Sequence, residues 1–175
     1  YQLLRYGVSV QISVDKPHEQ VHFIDWENQK NNDFALAEEV TLRGGYERRP
    51  DIVLYVNGIA VTVIELKRSS VDVAHGIRQL RTNQEKIFNE NFFPTVQLLF
   101  AGNDSQGLHY GTVTTHEKFY VKWKSSNKDF SIPGSLLDYP LIEMCEKSQL
   151  LDLIRNFIIF DAGIKKVPRQ HQFDG

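Results

Sequence analysis

The chain holds a single cysteine, Cys145, in 175 residues, and that scarcity excludes an internal disulfide. A reducing compartment, the cytoplasm, is therefore the expected setting. No apolar run approaches the roughly 18 residues needed to cross a bilayer, so no membrane span is expected. The opening YQLLRYGVSV lacks the basic-then-apolar layout of a secretory signal. Basic charge is not in surplus either: 20 Lys and Arg stand against 22 Asp and Glu, a net charge of −2. That balance argues against tight autonomous binding of nucleic acid, because displacing counterions takes an excess of cations. A module that acts on DNA held by other domains or subunits needs no such excess. Of the six histidines, His18 and His22 share an HxxxH spacing in HEQVH and the other four are scattered. A zinc site is not expected, because two histidines four apart converge on a metal from a helix and this stretch runs into a strand-like one. Neither a GxSxG elbow nor a GxxxxGK[ST] loop occurs, so P-loop binding of ATP phosphates is excluded for this stretch of chain. Cys145 sits in an apolar helical stretch, where a small buried thiol is the expected role.

What is present suits one globular domain with a tail. Apolar residues make up 41% and charged residues 24%, enough to build a real core at this length. No repeat, low-complexity tract or Gly/Ser linker divides the chain. Strand-like stretches run over Val8 to Val14, Val21 to Trp26 and Phe34 to Leu42, separated by polar turns. Ile52 to Leu66 reads as a hairpin about Asn57-Gly58. A helix follows, with Ile77, Leu80, Ile87 and Phe88 near helical spacing and Ser70 or Asp72 as its cap. Thr95 to Ala101 is a buried strand; Leu108 to Thr114 and Phe119 to Trp123 are two more. From Ser135 the pattern turns helical. The order β-β-β-β-α-β-β-β-α-α describes an α/β domain, a mixed β-sheet flanked by α-helices.

The hairpin places charge where a buried strand pair would not need it. Asp51 stands at the mouth of one strand, and Glu65 and Lys67 close the other, sharing a face because side chains alternate. With an unbroken two-residue loop, paired positions sum to 115, and Asp51 lands opposite Ile64 on the wrong face. The expectation is therefore an odd-numbered loop, a type I turn with Gly58 left-handed and a bulge, which brings Asp51 to the face of Glu65. Two close carboxylates repel unless a cation bridges them. Mg²⁺, held by Asp51, Glu65 and the backbone carbonyl of Leu66, with waters, answers that need. Such an ion activates water and stabilises charge on a phosphate oxygen, and Lys67 beside it assists. Phosphodiester hydrolysis is the chemistry this trio can do. Arg48 and Arg49, just before the aspartate, are candidates for DNA phosphate or plain surface charges; Arg78 and Arg81 on the following helix are further DNA-binding candidates. Alternation allows only one of Glu38 and Glu39 to face the site, Glu39 being favoured; a plain surface role is the better expectation for each.

The string RRPDIVLYVNGIAVTVIELKRS resembles the PD-(D/E)xK motif of restriction-endonuclease-like nucleases. It is similar in particular to the N-terminal nuclease region of the R subunit of type I restriction enzymes, and the similarity continues through GIRQLRTNQ, FFPTVQLLFAGNDSQGLHYGT, EKFYVKWK and FIIFDAGIKK. The resemblance implies a restriction-endonuclease-like fold over residues 1–155 and a linker over 156–175 that leads to a helicase-like motor. It implies that Gln79 belongs to a QxxxY element supporting the nuclease site, although Asn83 stands where that element has tyrosine. A third acid at Glu39 or Glu38 is likewise only what the resemblance to known nucleases implies. It implies partners: double-stranded DNA, and the modification and specificity subunits. ATP would serve only the full-length subunit, and cleavage would follow ATP-driven translocation. In the tail VPRQHQFDG, Arg169 and Gln172 match an arrangement that reads adenine; a glutamine amide can pair with both a donor and an acceptor. Two rivals stand beside this reading. One is a non-catalytic docking module, expected to expose an apolar patch around Leu136 to Phe160; the other is a stand-alone repair nuclease of the same fold.

Overall fold

The nearly unbroken apolar runs on either side of Asn57-Gly58 become two inner strands of a six-stranded sheet. The computed structural model describes residues 1–125 and 135–173. A short helix α1 (Gln2–Tyr6) leads into a small antiparallel pair, β1 (Val8–Val10) and β2 (Glu19–Val21). Then come β3 (Phe34–Glu38), β4 (Ile52–Val56), β5 (Ile59–Leu66), helix α2 (Val73–Asn83), β6 (Leu98–Asn103), β7 (Gly107–Gly111) and β8 (Val121–Lys122). Helices α3 (Ser135–Cys145) and α4 (Lys147–Asp152) run into a π-helical turn, Leu153–Phe157. A second small pair, β9 (Ile159–Asp161) and β10 (Ile164–Lys166), and a last turn α5 (Gln170–Phe173) complete the described chain. The tail residues Asp174 and Gly175 lie outside the described residues.

Strands β3 to β8 lie in the sheet in chain order, and β5 and β6 alone run parallel, with α2 as their crossover. Antiparallel hairpins join neighbours directly, while a parallel pair needs a connection long enough to return, which is the helix. The two faces carry separate cores. Val53, Val63, Leu99 and Ala101 meet Val73, Ile77 and Leu80 of α2 on one side. Leu54, Val61, Ile64, Leu98 and Phe100 meet Met144, Leu150, Leu153 and Ile154 on the other. Burying each large apolar side chain contributes roughly 1.5–3 kcal/mol, so both helical layers are held to the sheet by packing.

The edges of the expected elements shift for identifiable reasons. The alternation from Val8 to Val14 yields only the three residues of β1, because Val10, Ile12 and Val14 face solvent and have no layer to cover them. The stretch after Val21 turns instead of extending, as Asp25 Oδ1 accepts from the Glu27 and Asn28 amides and Asn32 Nδ2 donates to the Asp25 carbonyl. Strand β3 stops at Glu38 because Glu39 takes a left-handed φ of 51°. Asp72, one of the two caps considered, accepts from the Ala74 amide at 2.8 Å and starts α2. The helix ends at Asn83, and Ile87 is left exposed outside it.

Candidate active site

The hairpin solves the register problem by a different route from the one expected. Asn57 and Gly58 both have positive φ, 51° and 76°, the signature of a plain two-residue type I′ turn. Asn57 is held there from outside: its Nδ2 donates to the Phe23 carbonyl and to Asn32 Oδ1, each at 2.8 Å, and its Oδ1 accepts from the Asp33 amide. The pairs Val56–Ile59 and Tyr55–Ala60 keep the sum of 115. Beyond them Leu54 pairs with Thr62, Val53 with Val63 and Ile52 with Ile64, a sum of 116. Val61 is the extra residue, so the bulge lies inside the strand and not at the turn. Its side chain joins Ile64 in one core while Val63 joins the other. The next position in that register sets Asp51 opposite Glu65.

The two carboxylates therefore converge at the carboxyl end of β5, beside α2. Asp51 Oδ2 accepts from the Leu66 amide at 2.6 Å. Glu65 is fully buried, and its Oε1 has no hydrogen-bond partner among the described residues. Burial first, and then the neighbouring Asp51 charge, push the Glu65 pKa up from 4.5 to about 8, against the pull of Lys67. Lys67 Nζ lies 3.4 Å from Glu65 Oε2 and donates to Gln79 Oε1 at 2.8 Å. With its side chain 20% exposed, Lys67 forms the lip between the buried acid and solvent. Gln79 thus reaches the site from α2, one helical turn before Asn83, which is buried with both amide atoms unpartnered among the described residues.

Several residues that sequence reasoning passed over build this arrangement. Gly76 lies where α2 crosses the strand end: a Cβ there would stand 3.3 Å from Ala101 Cβ and 3.5 Å from Lys67 Cγ. Asn103, fully buried, ties the loop after Lys67 to β6, donating to the Val71 carbonyl at 2.7 Å and accepting from the Gln106 amide at 2.6 Å. Gln106 Oε1 in turn accepts from the Val73 amide at the start of α2. The turn signal AGNDSQG was available for these; nothing local marks Gly76.

The remaining candidates are spread more widely. The register sets Glu39 opposite Asp51, and its amide donates to the Asp51 carbonyl at 2.8 Å. Its exposed side chain, however, is paired with Arg49. Glu38, opposite Ile52, is exposed. Among the described residues no three His, Cys, Asp or Glu side chains gather as a metal-ligand set, so the chain offers two carboxylates and backbone oxygen. Arg48 stacks 3.8 Å over the Phe88 ring, and Arg78 makes two 3.0 Å hydrogen bonds to Glu117. Arg81, half-buried in the last turn of α2, adds its charge to the same Glu117. Arg169 and Gln172 are exposed in the tail, where Gln172 Oε1 accepts from the Arg169 amide. Burial raises the Cys145 thiol to about 12, which removes it as a nucleophile. No helix among the described residues is long and apolar enough to cross a membrane.

Comparison with known proteins gives the chain's family. The family model for the type I restriction enzyme R protein N terminus matches residues 1–118. The chain is 30% identical over 191 residues to the type I restriction enzyme HindI endonuclease subunit of Haemophilus influenzae, a match that covers all of this chain and 18% of that protein. It is 23% identical over 151 residues to the type I restriction enzyme EcoprrI endonuclease subunit of Escherichia coli, covering 83% of this chain and 47% of the relative. The chain therefore spans less than half the length of either relative.

Proposed function

The chain belongs to the family of type I restriction enzyme R protein N termini, and from that membership and the site's geometry we propose that it is a metal-dependent DNA endonuclease domain. The observation that carries this reading is the buried Asp51–Glu65 pair, with Glu65 Oε1 unpartnered and Lys67 pinned at its lip. An acid buried beside a second acid suits a hard divalent cation, which takes oxygen ligands and keeps waters. Asp51, Glu65 and the Leu66 carbonyl would hold Mg²⁺, which when bound supplies Lewis acidity and a more acidic water.

The chain's own residues supply the rest. Glu65 has to release its proton before it can serve as a ligand, and the closeness of Asp51 makes that release depend on the cation. Lys67, oriented by Gln79, sets a compact positive charge where a phosphate oxygen gains negative charge. Gln79 acts through Lys67 and is a positioning residue. Arg48, Arg49 and Arg78 would meet DNA phosphates only by exchanging the partners they hold in this fold, and Arg81 would meet them from the last turn of α2. In a full-length subunit the domain would act on double-stranded DNA in a complex with modification and specificity subunits, with ATP consumed by a motor that this stretch of chain lacks. Arg169 and Gln172 would contact adenine there. The exposed Ile142, Ile159 and Phe160 favour a docking role as a second reading, one that needs no metal at Asp51 and Glu65.

The test is DNA cleavage by the full-length subunit assembled with its partners. Lys67→Ala is expected to lower cleavage by about 100-fold or more while ATP hydrolysis is unchanged. Gln79→Ala should lower it about tenfold, with Gln79→Glu, which keeps an acceptor for Lys67, recovering part of the loss. Full cleavage by Lys67→Ala would overturn the reading. Glu39→Ala in the same assay decides the third acid, since unchanged cutting removes it.

A further inference from the structure

A cleft of about 560 Å³ opens between the loop that leads to Asp51 and the segment that follows α2. Its walls are locked to each other. Leu42 and Arg48 exchange backbone hydrogen bonds, the Tyr46 amide donates to the Ile87 carbonyl at 2.8 Å, and the Gly45 amide donates to the Phe88 carbonyl. Gly44 and Gly45 permit this approach, because a Cβ at either position would strike the Ile87–Phe88 backbone. The cleft's two walls are thus joined to each other, and each is continuous with the site, one through the chain to Asp51 and the other through α2, which carries Gln79.

Its lining combines cations with aromatic surface. Arg43 and Lys86 are exposed on it, against the single acid Glu90. Among the described residues, Arg43 and Lys86 have no ion-pair or hydrogen-bond partner, whereas Arg49 and Arg78 are paired with Glu39 and Glu117. Phe88 and Phe92 supply apolar faces in the same cleft, and the Arg48 guanidinium backs the Phe88 ring. Uncommitted cations beside aromatic rings are the combination that tracks a single nucleic-acid strand: the charges meet phosphates and the rings meet bases or sugars. The lining thus carries two unpaired cations against one acid among the described residues, on a chain of net charge −2.

We propose that the cleft grips one strand of DNA that continues to the Asp51–Glu65 site, with Arg43 and Lys86 on its phosphates and Phe88 and Phe92 against a base or sugar. The choice of DNA rests on the nuclease reading; the grip itself does not need the metal. The test is fluorescence anisotropy of this chain with labelled oligothymidylate of about 20 nucleotides in EDTA, where no cutting occurs. Wild-type binding should weaken by about tenfold or more in the Arg43→Glu, Lys86→Glu double variant. In Arg43→Ala, Lys86→Ala the salt slope should fall by about 1.4, the value for two single-strand phosphate contacts. Both side chains are exposed, so an unchanged melting temperature verifies that each variant is folded. No binding by the wild type, equal binding by the charge-reversed variant, or tighter binding of a duplex would each overturn the proposal. Mn²⁺ titration separates the two readings: loss of strand binding with intact metal binding sinks the cleft alone, and the reverse sinks the nuclease assignment alone.

Discussion

Glu65 carries the largest conflict at the residue scale, and it shows in stability before any assay of function. Its folded pKa of about 8 lies above 4.5, so between those values the folded chain keeps a proton that the unfolded chain has lost. Stability therefore falls as pH rises through that window. In metal-free buffer, Glu65→Gln should flatten this fall and unfold at higher denaturant than the wild type at pH 8.5 and above. Parallel pH profiles for the two proteins would mean that Glu65 ionises freely. The same protonation bears on the ion: a group that must lose a proton to act as a ligand binds metal more tightly as pH rises toward about 8.

At the scale of elements, the bulge is the device that brings Asp51 and Glu65 onto one face of the hairpin. Thirteen residues separate Asp51 from Glu65, a spacing that a regular two-residue hairpin cannot bring onto one face. Val61 absorbs the mismatch. Deleting it leaves Leu54 opposite Thr62 and Asp51 opposite Glu65, so metal binding should survive. The cost is a fully buried valine and the hydrogen bond its carbonyl accepts from Gln97, about 2 kcal/mol or more of stability. A folded deletion variant that binds no metal would show that the bulge shapes the site and not only its register. The need for a bulge was legible in the sequence, by parity. Its position was not, because the Asn57 turn is fixed by Phe23, Asn32 and Asp33, contacts more than twenty residues away. Asp51, Glu65, Lys67 and Gln79 were legible as a set by spacing and resemblance. Gly76 and the packing of Asn103 were not, since each depends on how closely α2 meets β5 and β6. Likewise the short β1 could not be told from a core strand, as its alternation is real but faces no layer.

The whole molecule includes the stretch expected to be a linker. Phe173 packs on Phe157 and Trp123, with ring centroids 4.7 Å and 5.9 Å apart, and Tyr110, buried in the sheet, donates to the Pro168 carbonyl at 2.7 Å. Lys165 reaches the far end of the sheet at Val96 and Gln97, where burial lowers its pKa to about 7. Phe173→Ala should therefore lower stability by about 2 kcal/mol, read as a reduced urea midpoint; an unchanged midpoint would mean that the tail is frayed in solution. At this scale the parallel pair β5–β6 and its crossover α2 bring Glu65, Lys67 and Gln79 to one strand end. The account rests on the claim that Asp51 and Glu65 share a divalent cation. Calorimetric titration of Mn²⁺ into this chain at pH 8, with Asp51→Ala and Glu65→Ala beside it, tests that claim most directly. Saturable binding lost in both variants is the predicted result, and binding indifferent to either substitution, or none in the wild type, would contradict it.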